Sequence, residues 1–337
     1  MDEIERAEEA SFETLQEEGG AIRERLERFV RSLSRYFVGR EDLLRLLLSS
    51  SVAQVPLLLV GPPGTAKSDL VVKFREALGV PNSDYFEYML TRFTEPSELF
   101  GPIDLQKLKD GKYIRKEQGK LPTARVVFLD EIFMSSSAIL NALLTVINER
   151  KFYQDGAPQA VKLKLLFAAS NDVPSSPELR ALKDRFVLKA LCRPVESDRF
   201  FDLLRTGSSL DAAKELGQKP WAEGHATLAD LVKAHRYLTL TLAREAKEDI
   251  EAQPLFRREL LLEFRRLLRT LATEDEIYIS DRKIVRLYRL LRAHAWLVRG
   301  GTVEAEDLKL LSYLGDSADE MERIEAKVPA LLGFSAG

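Results

Sequence analysis

The passage Leu57-Leu58-Leu59-Val60-Gly61-Pro62-Pro63-Gly64-Thr65-Ala66-Lys67-Ser68 restricts this chain more than any other. It is an apolar run, a glycine–proline loop and a lysine–serine pair. Small residues let backbone N–H groups converge on an anion, and a helix starting at the loop's end adds the partial positive charge of its N-terminus. The passage reads as a strand, a phosphate-cradling loop and a helix. Gly61, Pro62, Pro63, Gly64, Thr65 and Ala66 would wrap the phosphates of a nucleotide. Lys67 would reach the β- and γ-phosphates, and the Ser68 hydroxyl would hold Mg²⁺. The usual pattern has glycine before the lysine. Ala66, the smallest alternative, is expected to sit there in helical geometry.

Around this loop, apolar runs alternate with helical patterns: Leu57–Val60, Tyr85–Leu90, Val126–Leu129, Leu163–Ala169 and Phe186–Leu191. Such alternation implies a parallel sheet covered on both faces. A first helix is expected from about Ala21, after Gly19-Gly20, because Ile22, Leu26, Phe29, Val30 and Leu33 recur at helical spacing. Two segments interrupt the alternation and read as hairpins, 103–121 around Asp110-Gly111 and 151–163 around Asp155-Gly156. After Pro194 the strands stop and helical patterns take over. The expected organisation is an acidic leader over 1–20, loosely attached or helical, an α/β nucleotide-binding domain over 21–195 and a helical domain over 196–337.

The run Val126–Leu129 ends in Asp130-Glu131, which a parallel strand delivers to the carboxyl edge of the sheet, where ligands bind. Asp130 suits the Mg²⁺ shell and Glu131 the polarisation of an attacking water. Leu165–Ala169 ends in Ser170-Asn171-Asp172, a turn-forming sequence that also sets an amide at the same edge. Arg180, Arg185 and Arg282 offer forks suited to phosphate charge, although surface ion pairing is the default role of any one arginine.

Composition weighs against several alternatives. The net charge of −3 over 337 residues gives no global attraction to nucleic acid or acidic membrane. The basic residues of the first hairpin, Lys107 to Lys120, are diluted by Asp104, Asp110 and Glu117, and only Tyr113 offers a stacking ring. The single cysteine, Cys192, reads as a small buried hydrophobe and fits a reducing cytoplasm. His225, His235 and His294 lack metal-ligand spacing. The Met-Asp-Glu-Ile-Glu-Arg start lacks a signal-peptide pattern, and no apolar stretch approaches the ~18 residues of a membrane span.

In combination, Gly61–Ser68, Leu129-Asp130-Glu131-Ile132, Ser170-Asn171-Asp172 and Leu182-Lys183-Asp184-Arg185-Phe186 resemble the MoxR AAA+ ATPases. Glu98–Pro102, Ala138–Arg150 and Ile279–Lys283 look like the RavA branch, and the resemblance covers roughly residues 25–315. It implies a P-loop AAA+ αβα sandwich with a C-terminal helical lid, ATP and Mg²⁺ as ligands, and a ring, usually a hexamer. It gives Asn171 the part of first sensor, Arg185 that of an arginine finger acting on a neighbouring subunit's ATP, and Arg282 that of the second sensor on the lid. Val38-Gly39-Arg40 resembles the adenine-pocket segment, and the two hairpins match the helix-2 insert and the pre-sensor hairpin. RavA carries a further partner-binding extension, so its partners are not carried over. The expected function is ATP-driven remodelling of client proteins, with a von Willebrand A-domain partner. The alternatives are a nucleic-acid motor of the helix-2-insert class, a chelatase or Rubisco-activase-like motor, or a nucleotide-gated scaffold, against which Glu131 and Arg185 argue.

Overall fold

The computed structural model describes residues 2–247, 249–250 and 253–334. Met1 of the expected leader, and 248, 251–252 and 335–337 of the expected helical domain, lie outside the described residues. In chain order the elements are α1 (Glu3–Glu9), α2 (Phe12–Ser34), α3 (Glu41–Ala53), β1 (Leu57–Val60), α4 (Lys67–Ala77), β2 (Tyr85–Met89), α5 (Pro96–Phe100), α6 (Leu105–Lys109), β3 (Val126–Asp130), α7 (Ser137–Glu149), β4 (Lys151–Gln154), β5 (Ala157–Ala160), β6 (Leu165–Ser170), α8 (Arg180–Lys183) and β7 (Leu188–Leu191). Helices follow: α9 (Phe200–Glu215), α10 (Leu228–Glu245), α11 (Arg258–Glu274), α12 (Asp281–Arg299), a 3-10 segment over Ala305–Tyr313 and α13 (Ala318–Leu331).

Five strands form one parallel sheet in the order β2-β3-β6-β1-β7. Leu57 lies opposite Phe167 on β6 and Leu188 on β7, and Val126 on β3 opposite Leu165. Alternate residues serve two cores. Leu57, Leu59, Phe128 and Phe167 face one buried cluster with α2, α3, α4 and the later helices. Leu58, Val60, Leu129 and Ala168 face another with α7. Two buried faces explain why these strands are apolar throughout. β2, on the edge, is the exception, with Glu87 and Met89 exposed. β6 lies between β1 and β3, so the ends of these three strands open onto one crevice.

The acidic leader is helical and packed. Ile4, Ala7 and Leu15 are buried, α1 lies against α10, and Asp2 and Glu8 pair with Arg125 and Lys164. Gly19-Gly20 does not break the chain, contrary to the helix start expected near Ala21: α2 runs through it. Each helical glycine costs up to about 1 kcal/mol. Burial of the stripe Leu15, Ile22, Leu26 and Phe29 outweighs that cost, and Gly19 sits against the Trp296 ring.

Segment 151–163 is an antiparallel pair, Lys151 opposite Ala160, turning at Asp155-Gly156. Segment 103–121 differs from the hairpin read in the sequence. Asp104 caps the short helix α6, and the chain returns through a single bridge between Ile103 and Arg115. The Asp104 carboxylate satisfies two helix-start N–H groups, which local sequence turns into helix rather than strand. The two segments meet: the backbone N–H of Tyr113 donates to Asp155 and that of Arg115 to Gln154.

The later helices dock through a buried charge cluster. Lys189 of β7 lies 2.6 Å and Lys283 of α12 3.6 Å from the Asp316 carboxylate. The Lys183 ammonium donates to the Asp316 carbonyl at 3.3 Å. Burial and the nearby Lys189 push Lys283 down to about 8. No described helix is long and apolar enough to cross a membrane.

Candidate nucleotide site

β1 hands the chain into an exposed loop whose geometry requires glycine at two points. A Cβ on Gly61 would stand 2.2 Å from the Cys192 carbonyl oxygen, and Gly64 has φ +83°. Ala66 corrects the sequence reading: its φ of 63° and ψ of 25° are left-handed, not helical. It stands as the N-cap of α4, where an L-residue with a Cβ pays about 1 kcal/mol or more that glycine would not. Thr65 holds the loop by donating to the Pro62 carbonyl at 2.8 Å.

Lys67 folds its buried ammonium back over the loop. It donates to the Gly61 carbonyl at 2.5 Å, the Pro62 carbonyl at 3.1 Å and Asn171 Oδ1 at 3.1 Å. Ser68 Oγ donates to Asp130 Oδ2 at 2.9 Å, linking the loop to the end of β3. Asp130 Oδ1 accepts the Glu131 backbone N–H at 2.9 Å. Glu131, with φ 50°, leaves strand geometry, and its carboxylate accepts a hydrogen bond from Asn171 Nδ2. Five predicted residues, Lys67, Ser68, Asp130, Glu131 and Asn171, thus meet at the ends of β1, β3 and β6. The donors suit a divalent cation: a hydroxyl and a carboxylate are hard oxygen ligands. No group of three or more His, Cys, Asp or Glu among the described residues forms a separate metal cluster.

Val38 and Gly39 line a cavity of about 270 Å³ with Leu43, Leu191, Pro194 and Tyr313. It borders residues on either side of Cys192, whose backbone packs against Gly61. Burial pushes the Cys192 thiol up to about 11, leaving it unreactive. Arg193, on the cavity rim, pairs with Glu325 of α13 at 2.6 Å, tying the rim to the last helix.

Arg185 and Arg282 stand elsewhere. Among the described residues, no hydrogen bond or ion pair joins either to Gly61–Ser68. They fall within electrostatic range of each other and of Arg286: burial and Arg282 lower the Arg185 pKa, while burial, Arg282 and Arg185 lower that of Arg286. Asp184 carries the compensating charge, 3.2 Å from Arg185. Sequence reasoning gave Asp184, Ser280 and Arg286 no role. Asp184 precedes Arg185 and Ser280-Asp281 opens α12, but only the docking of α12 against the turn after α8 makes them one group.

A parallel sheet with this strand order, a phosphate-type loop after β1, an acidic end on β3 and a helical lid define an AAA+ ATPase-type protein. The family profile for the MoxR domain in the MoxR-vWA-beta-propeller ternary systems matches residues 24–231, and an AAA lid domain profile matches 258–328. The chain belongs to this MoxR family of AAA+ ATPases. Two uncharacterised proteins of Methanocaldococcus jannaschii are similar to it. One is 32% identical over 87% of this chain and 70% of its own length, the other 31% identical over 93% and 77%. A crystal structure of a presumed ATPase from Cytophaga hutchinsonii shares the fold, with a TM-score of 0.68 at 16% identity over 96% of this chain and 98% of that one.

Proposed function

We propose that this protein hydrolyses MgATP in a ring of identical subunits and uses the resulting motion to remodel a client protein. The observation that carries this reading is the continuous hydrogen-bonded path Ser68–Asp130–Glu131–Asn171–Lys67 at the mouths of β1, β3 and β6.

In this reading Val38 and Gly39 border the base and the Gly61–Ser68 loop cradles the phosphates. Lys67 exchanges its loop carbonyls for phosphate oxygens on binding, because an ammonium prefers an anion to neutral dipoles. Ser68 and Asp130 would hold Mg²⁺, whose charge offsets that on the β- and γ-oxygens. Glu131 orients and polarises the attacking water, and Asn171 fixes the Glu131 carboxylate. Arg185 is assigned to the ATP of an adjacent copy; Arg282, expected as the second sensor on the lid, stands beside Arg185 within one subunit, and we assign it to that same neighbouring ATP. A finger supplied in trans is worth ~10³–10⁵ in rate, so isolated subunits would be slow. The segments Glu98–Pro102 and Ile279–Lys283 support a RavA-like placement within the family. The description of the matching profile supports a von Willebrand A-domain and β-propeller partnership.

The test is steady-state phosphate release by wild type and Glu131→Gln across protein concentration. The expected result is wild-type turnover per subunit that rises with concentration, and a variant that binds ATP with no turnover. Equal turnover in both proteins, or turnover per subunit independent of concentration, removes respectively the carboxylate assignment and the trans finger.

A further inference from the structure

Asp184 is buried, directly after α8, and both its oxygens are engaged. Oδ2 lies 3.2 Å from Arg185 Nη1, and Oδ1 accepts the Ser280 hydroxyl at 2.7 Å. Ser280 is the N-cap of α12, where its oxygen also accepts the Lys283 backbone N–H at 3.1 Å. Arg282 rides on the first turn of that helix, exposed. One turn further, Arg286 donates to the Arg185 carbonyl at 2.9 Å and to Asn148 at 3.2 Å. Three guanidiniums therefore repel one another, Arg185 with Arg282 and Arg286 with both, while the Asp184 carboxylate bonds to Arg185 and to the cap of α12 at once.

We propose that Asp184 is a positioning residue: it sets the direction of the Arg185 fork and, through Ser280, locks it to the start of α12, so that Arg185 and Arg282 meet the phosphates of a neighbouring copy as one rigid pair. The proposal rests on the assignment of Arg185 and Arg282 to the neighbour's ATP.

A guanidinium acts through a planar fork, so its orientation matters as much as its charge. Arg185 is only partly satisfied within its own chain: Nη1 meets Asp184, while Nε finds no acceptor among the described residues. Without the carboxylate, Arg185, Arg282 and Arg286 would spread apart, and a reacting group misplaced by about 1 Å can lose ~10² in rate. The link also has a mechanical consequence. Movement of α12 displaces Ser280, and Asp184 passes that displacement to Arg185 without any change in the chain's own phosphate loop.

The experiment is a double-mutant cycle. kcat and KM for MgATP, and the affinity for a fluorescent ADP, are measured for Asp184→Asn, Arg185→Ala and the combined variant. Ser280→Ala and Ser280→Thr are added, with thermal melting as a folding control. The expected result is a kcat roughly 10- to 100-fold lower in Asp184→Asn with ADP affinity unchanged. The combined variant should be no slower than Arg185→Ala. Ser280→Ala should lose part of kcat, and Ser280→Thr, which keeps the hydroxyl, should recover it. A loss in Arg185→Ala with wild-type kcat in Asp184→Asn overturns the positioning role alone, as does a full additional loss in the combined variant. Wild-type kcat in Arg185→Ala overturns the finger assignment and this proposal with it.

Discussion

Ser68 in the first turn of α4 and Asp130 at the end of β3 are joined by a hydrogen bond of 2.9 Å, so the two oxygens proposed as metal ligands stand side by side. Asp130→Asn keeps the size of the side chain and removes its charge. The expected outcome is a roughly 10- to 100-fold loss of affinity for MgATP. ATP binding in the presence of a chelator should change little. Titration of a fluorescent ATP analogue with and without Mg²⁺ reads both. Wild-type protein that binds equally well under the two conditions would remove the metal from this site.

Ala66 predicts an unusual response to glycine. In its left-handed conformation alanine carries about 1 kcal/mol or more of strain. Glycine relieves it but adds about 0.4–1 kcal/mol of unfolded-state entropy. Ala66→Gly is therefore expected to leave the melting temperature within a few degrees of wild type. Ala66→Val, β-branched in the same region, should lower it clearly. A marked fall for Ala66→Gly in a thermal melt would show that the alanine methyl is needed there.

The sequence exposes the candidate site's edge because β3 and β6 are apolar along their length and end in a polar residue. Val126–Asp130 and Leu165–Ser170 therefore announce Glu131 and Asn171 through composition alone. What is hidden depends on distant packing. Gly19-Gly20 looks like a break because intrinsic propensity ignores the Trp296 ring. The backbone angle of Ala66 is set by the loop's closure, not by alanine's preference. The meeting of Arg282 with Arg185 follows from how α12 docks beside β7 and the turn after α8, through Lys189, Lys283, Asp316 and Asp184, and no local periodicity encodes that.

Gly61 and Gly64 look equivalent in the sequence and are not. A Cβ at Gly61 runs into the Cys192 carbonyl, which cannot withdraw freely because the Cys192 N–H donates to Val60 at 2.6 Å. A Cβ at Gly64 meets nothing within 4 Å and costs only its positive φ. Gly61→Ala should destabilise by about 1–3 kcal/mol through overpacking, on top of a displaced loop. Gly64→Ala should cost about 1 kcal/mol. Urea midpoints at a common m-value rank the two, and the reverse order would place the tight contact elsewhere.

His235 makes the fold sensitive to acid. Its Nδ1 lies 2.9 Å from the Val52 carbonyl oxygen and donates to it, which places a proton on Nδ1. Burial, then Arg289, pushes its pKa down to about 4. The unfolded chain, with a value near 6.5, binds that proton more readily. The stability from keeping His235 neutral is therefore complete above pH ~6.5 and is lost as pH falls through 4. The loss amounts to at most about 3 kcal/mol. His235→Asn keeps a donor for Val52 and cannot take up the proton. It should flatten the dependence of unfolding free energy on pH between about 6.5 and 4 relative to wild type, whatever the carboxylates contribute to both. Parallel curves for the two proteins, measured by chemical denaturation across that range, would mean that the ring is already protonated inside the fold.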